Sequence, residues 1–183
     1  TINPISPHTL SARPVIVPDR CIIRVKIPAG HPPVHITIDG QEEKFYDFEK
    51  YFQANYVLQR ALELLSLEFY PTEISPYVFS MDASVARMDE IKEAIANTAE
   101  NPFLEFYRQN CLEAVLRDSP EIIGVSITYS NQFIPALTFA SMIKKASPMT
   151  YVVVGGGFIT NLADDIKKVP GFFDLVDGAV VYE

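Results

Sequence analysis

Apolar positions along the chain change period, and each change marks an element. From residue 45 to about residue 65 they recur at three- and four-residue steps (Phe45, Phe48, Phe52, Leu58, Leu62, Leu65) with charge between them. That spacing predicts a helix with one core-packing face. Ahead of it, residues 1–44 carry Pro4, Pro7, Pro14, Pro18, Pro28, Pro32 and Pro33. Proline fixes φ and removes a donor, so regular elements here are expected to be short. Alternation at Ile23, Val25 and Ile27 predicts a hairpin of residues 22–27 with 34–38 around Pro28-Ala29-Gly30. Residues 1–44 thus read as an irregular proline-rich segment packed on a domain made by residues 45–183.

Pro71 and Pro76 interrupt the helical pattern, and residues 77–81 then read as a strand ending at Asp82. A second helical stretch over 89–99 carries Ile91 and Ile95. Pro102 opens a third, to residue 116, because proline is tolerated in a helix's first turn. Phe103, Phe106, Cys111, Leu112 and Val115 would share its buried side.

The last third has the clearest pattern. Strands are expected at 122–128, 151–154 and 175–182. Between them come helices at 132–145, with Phe133, Leu137, Ala140 and Ile143 inward, and at 162–168. Strands separated by single helices are βαβ units, which build a parallel sheet. The fold class expected is α/β, a doubly wound and mostly parallel sheet.

Composition narrows the functions. The chain has 183 residues, about half of them apolar, enough for one domain with a real core. A net charge of −8 argues against nucleic acid as a partner. No run reaches the roughly 20 apolar residues of a membrane helix, so no membrane partner is expected, and no signal-peptide pattern opens the chain. Cys21 and Cys111 are far apart and without ligand-like spacing, as expected of isolated thiols in a reducing cytoplasm. The chain opens on Thr1 and stops at Glu183 directly after an apolar run, so it reads as a fragment of something longer.

Ligands of open α/β sheets bind outside the carboxyl ends of the strands. Three loops reach that edge here, the third of them beginning at Tyr182-Glu183, where Glu183 is a further candidate contact. The first is Thr128, Tyr129, Ser130, Asn131 and Gln132, in which Ser130 or Asn131 is also the expected helix N-cap, with Pro135 in the first turn. The second is Gly155, Gly156, Gly157, Phe158 and Thr160, where missing side chains let a ligand approach the backbone. A dinucleotide fingerprint fails, because its third glycine would fall at Thr160. Ser141 and Lys144 fit SxxK but lie late in a helix, without the companion motifs. His31 and His35 have metal-ligand spacing, but Pro32 and Pro33 forbid the helix that would align them, and His8 has no partner in sequence. Asp164 and Asp165 suit a helix's first turn. No catalytic set and no metal site can be read.

Taken together, Glu121-Ile122-Ile123-Gly124-Val125-Ser126-Ile127-Thr128, Val152-Val153-Val154-Gly155-Gly156-Gly157-Phe158 and Val176-Asp177-Gly178-Ala179-Val180-Val181-Tyr182-Glu183 resemble the cobalamin-binding domain at the front of radical S-adenosylmethionine enzymes. The resemblance covers residues 120–183. It implies a flavodoxin-like strand order, 2-1-3-4-5, with residues 77–82 as the second strand, Thr1-Ile2-Asn3-Pro4 as the tail of the first, and the switch point beside Thr128. It also implies cobalamin on the carboxyl edge. Thr128, Tyr129, Ser130 and Gln132, within the polar loop that includes Asn131, would contact corrin side chains or the nucleotide tail. Gly155, Gly156, Gly157 and Phe158, in the loop that ends at Thr160, would let the backbone pass beside it.

In that family a glutamate at the place of Glu183 opens the segment leading into a radical domain. The implied partner is therefore a C-terminal radical domain of the same chain, holding an iron–sulfur cluster and S-adenosylmethionine. The chain has neither DxHxxG nor CxxxCxxC, so it carries no histidine ligand for cobalt and no radical step of its own. The alternative is the same fold without cofactor, acting as a structural or docking domain, for which an exposed Phe172-Phe173 pair would speak. A third class is a stand-alone flavodoxin-like domain using Asp82 with a lysine partner.

Overall fold

A computed structural model describes the backbone of residues 11–17, 20–26 and 34–39 and residues 48–181 in full. The chain divides into two compact units, Thr1–Val78 and Phe79–Glu183.

In the first unit, β1 (Ser11–Val17), β2 (Arg20–Lys26) and β3 (Val34–Asp39) form an antiparallel sheet in that order. Strands β2 and β3 pair as the alternation predicted, with Arg24 opposite His35. Strand β1 was not expected, since Pro14 falls inside it, opposite Ile23. Its position resolves the conflict: β1 is an edge strand, and a proline there can turn its missing donor outward. The turn at residues 28–30 and the side chains of Cys21, His31 and His35 lie outside the described residues.

Helix α1 (Phe48–Glu68) matches the predicted period but not the predicted burial. None of its residues is buried; Phe48 and Phe52 are exposed, and Leu58, Leu62 and Leu65 are half-buried. The expected core-packing face is therefore corrected. Apolar residues at Tyr51, Tyr56, Val57, Leu64 and Leu67 widen the stripe beyond one face, so the period alone overstated the burial. Phe45 is outside the described residues. A two-residue strand, β4 (Glu73–Ile74), follows.

The second unit begins at β5 (Phe79–Ser80), much shorter than the strand expected over 77–81. Just upstream, Tyr77 and Val78 donate their backbone N–H groups to Ser75 Oγ, which removes them from any ladder. Strand β5 also stands outside the parallel sheet, contrary to the place expected for it.

Helix α2 (Met88–Ala94) buries Ile91 and ends earlier than expected, because Asn101 Nδ2 takes the Ala94 carbonyl at 3.1 Å. The single helix expected over 102–116 is two, α3 (Pro102–Asn110) and α4 (Leu112–Leu116), with Cys111 non-helical between them. That break turns Val115 outward and brings Leu116 against the core. Phe79, Phe103, Tyr107 and Phe139 form a chain of ring contacts that seats α3 on the next long helix. Burial there pushes the Tyr107 phenol up to about 12, with the Cys111 thiol adding to the effect.

The parallel sheet consists of β6 (Ile122–Ser126), β7 (Tyr151–Gly155) and β8 (Gly178–Ala179), in that order. All three were expected. The last is much shorter than residues 175–182, because Leu175 donates its N–H to Phe172 in a 3-10 turn instead of to a ladder. Helix α5 (Phe133–Ala146) crosses between β6 and β7 and buries Phe133, Leu137, Ala140 and Ile143 as its period predicts. The helix expected at 162–168 is replaced by α6 (Gly157–Asn161) and α7 (Ala163–Ile166), with Asp164 and Asp165 in the first turn of α7.

Register sorts the sheet's residues into two faces. Val152 and Val154 point into the core with Ile91, Leu137, Ile143 and Ile159, all fully buried. Each such side chain contributes about 1.5–3 kcal/mol. On the other face, Ile122 lies opposite Tyr151 and both are exposed, while Gly124 has no atom within 4 Å of where a Cβ would stand. The architecture is mixed α/β with a small parallel sheet whose core lies on one face.

Side chains lock the amino ends of the strands. Thr150 Oγ1 donates to the Pro120 carbonyl, and Lys144 Nζ lies 2.9 Å from both Asp177 oxygens. Asp177 also accepts the Val152 N–H at 2.7 Å. The Val152 amide first, and then Lys144, hold the Asp177 carboxyl below the usual carboxylate range. Because the folded pKa lies under the unfolded one, this stabilisation is complete above about pH 4 and is lost as pH falls through the folded value. Asp177→Asn should therefore cost about 0.5–1 kcal/mol at neutral pH, since the pair is screened by solvent and the amide oxygen can still accept the Val152 N–H. In urea melts the gap to the parent should close with acidification; a gap independent of pH would overturn the assignment.

Candidate functional site

The loops that leave β6 and β7 at their carboxyl ends meet backbone to backbone. Ile127 donates its N–H to the Gly155 carbonyl at 2.7 Å, and the Ile127 carbonyl receives the Phe158 N–H at 3.1 Å. The two stretches singled out from sequence are thus adjacent, and their residues serve different ends.

In the first loop Thr128, Tyr129 and Ser130 are exposed and Asn131 is half-buried. The helix cap expected from Ser130 or Asn131 is instead built around Gln132. Gln132 Oε1 accepts the N–H of Thr128 at 2.8 Å and of Tyr129 at 3.1 Å, closing a 3-10 turn (Ser130–Gln132) that runs into α5. An amide side chain reaching back over two orphan donors is the reciprocal half of a capping box. Sequence reading treated Gln132 as a ligand contact and missed this task; a glutamine three residues beyond Tyr129, the residue at the cap, was the available signal. Strand β5 runs beside the same turn, so its exposed Ser80 is a polar neighbour that sequence reading did not single out.

The three glycines are not equivalent. A Cβ on Gly155 would touch Val180 at 3.4 Å, which is tight but ordinary packing against the next strand. Gly156 has φ +101° and ψ 174°, and a Cβ there would fall 2.5 Å from the Ile127 carbonyl oxygen. That combination of φ and ψ is essentially restricted to glycine. Gly157 is exposed, and its Cβ would meet only the Thr128 carbonyl, at 3.8 Å. Fold geometry therefore accounts for Gly156, whereas Gly157 leaves open space beside Thr128.

Phe158 turns inward. Its ring stands edge-on to Phe133 at 5.5 Å, and Phe133 stacks on the buried Phe172. Thr160 Oγ1 donates to the Gly156 carbonyl at 3.1 Å within its own helical turn. Glu183 lies outside the described residues. Among the described residues of the two loops, what remains presented at the edge is Thr128, Tyr129, Ser130 and the bare backbone of Gly157, a set without lysine, arginine or carboxylate. Such a surface offers neutral hydrogen-bond donors and acceptors and suits a ligand rich in amides and hydroxyls.

Elsewhere, Lys144 is engaged by Asp177 and lies far along α5 from the edge, so SxxK marks no site. Among the described residues there is no cluster of three or more His, Cys, Asp or Glu placed to hold a metal, and no helix long and apolar enough to cross a membrane. No family model matches the chain, and no curated protein or solved structure matches it either.

Proposed function

We propose that this chain is the cobalamin-binding module of a radical S-adenosylmethionine enzyme, with the radical chemistry in a domain C-terminal to it. The observation that carries the reading is the meeting of the β6 and β7 loops, which sets Thr128, Tyr129 and Ser130 beside the open backbone at Gly157. Ligands of open α/β sheets bind at this edge. The resemblance of the three strand segments to that family's domain supports the same assignment.

The residues fit the group in chemical character. Thr128, Tyr129 and Ser130 would hydrogen-bond the amide side chains of a corrin. Gly157 would let the ring pass close to the backbone, and Gln132 would hold the loop through its Oε1. When bound, the corrinoid would supply methyl transfer or a redox partner to a radical made at the downstream iron–sulfur cluster. In the fuller, doubly wound arrangement proposed for the parent sheet, further strands would join along the free side of β6.

Titrating hydroxocobalamin into the folded protein tests the proposal. A saturable change in corrin absorbance is expected. Thr128→Ala combined with Ser130→Ala should weaken binding about tenfold or more, the loss of roughly one to two net hydrogen bonds. A folded protein that binds nothing at high micromolar ligand would refute the reading for this chain.

One observation favours the second reading, a docking domain without cofactor. Phe173 is half exposed, and Ile122 and Tyr151 on the open sheet face are exposed as well. Phe172 is buried, however, so the pair offers one aromatic ring outward and not two. Failure of the titration, with a folded chain, leaves docking as the standing account.

A further inference from the structure

We draw no further inference here: the strongest candidate, the exposed apolar face of the parallel sheet at Ile122, Tyr151 and Val180, carries none because nothing in the structure shows what covers it.

Discussion

Gly156→Ala is expected to destabilise the second unit by about 3 kcal/mol or more, while Gly157→Ala, one residue on, changes stability by less than about 1 kcal/mol. The contrast rests on two independent penalties at Gly156. Its backbone occupies a region that costs an L-residue of order 1–3 kcal/mol. Its Cβ would also lie 2.5 Å from a carbonyl oxygen that is already bonded to Phe158, so relief would have to pull the two loops apart. Gly157 faces neither penalty. It lies in α6, where alanine is favoured over glycine by up to about 1 kcal/mol, which can offset any small adjustment near Thr128. Urea melts of both variants decide the matter, and equal losses would show that the interlock has been misassigned. The pair also bears on ligand binding. Gly157→Ala should fold normally, so any loss of corrinoid affinity in it reports contact at the edge and not a damaged fold.

The second large effect is expected at Asn101. Its side chain is almost fully buried and makes three hydrogen bonds: Nδ2 to the Ala94 carbonyl at 3.1 Å, Nδ2 to Thr138 Oγ1 at 2.9 Å, and Oδ1 from the Phe103 N–H at 3.1 Å. One residue thereby closes the end of α2, caps the start of α3 and ties both to the middle of α5. Asn101→Ala removes the cap, worth about 1 kcal/mol. It also strips the acceptor from the half-buried Phe103 N–H and leaves the buried Ala94 carbonyl to the longer bond from the Asn97 N–H at 3.3 Å, at about 1–3 kcal/mol for an unsatisfied group. A total of about 3–4 kcal/mol is expected, visible as a lower urea midpoint. Thr138→Val should cost distinctly less, because it removes only one of the three Asn101 bonds, leaves the Ala94 contact and the Phe103 cap in place, and puts an apolar side chain at a fully buried site. Similar losses in the two variants would mean that the bond between them, and not the cap, carries the stabilisation.

Where the sequence could be read, one local signal and one burial requirement agreed. Helix α5 is such a case: Phe133, Leu137, Ala140 and Ile143 recur at helical spacing between two strands, and every one of them is buried. Strands β6 and β7 were legible for the same reason. The misreadings came where a single polar side chain redirected the backbone. Ser75 captured the amides of a strand expected at 77–81, and Asn101 ended α2 early. A periodic pattern carries no trace of such bonds, since they depend on where one oxygen or nitrogen happens to point. Helix α1 erred differently: its period was right, but period does not say whether a partner surface exists.

At the candidate edge, sequence placed the two loops together correctly, because the carboxyl ends of neighbouring parallel strands must be neighbours. It could not separate the glycines. Distinguishing Gly156 from Gly157 requires φ and the position of the Ile127 carbonyl, neither of which is encoded in the run of three. Gln132 and Phe158 were likewise assigned to a ligand when the fold itself claims Gln132 Oε1 and the Phe158 ring.

The two ends of the parallel sheet are held by different means. Side chains fasten the amino end, through Lys144, Asp177 and Thr150. At the other end, main-chain bonds from Ile127 and Phe158 and one glycine conformation do most of the fastening. The consequence is mutational freedom at the carboxyl end: Thr128, Tyr129 and Ser130 can be exchanged for other residues without loosening the strands beneath them. Selection could therefore retune what the edge recognises, or abandon recognition altogether, while the scaffold stays the same.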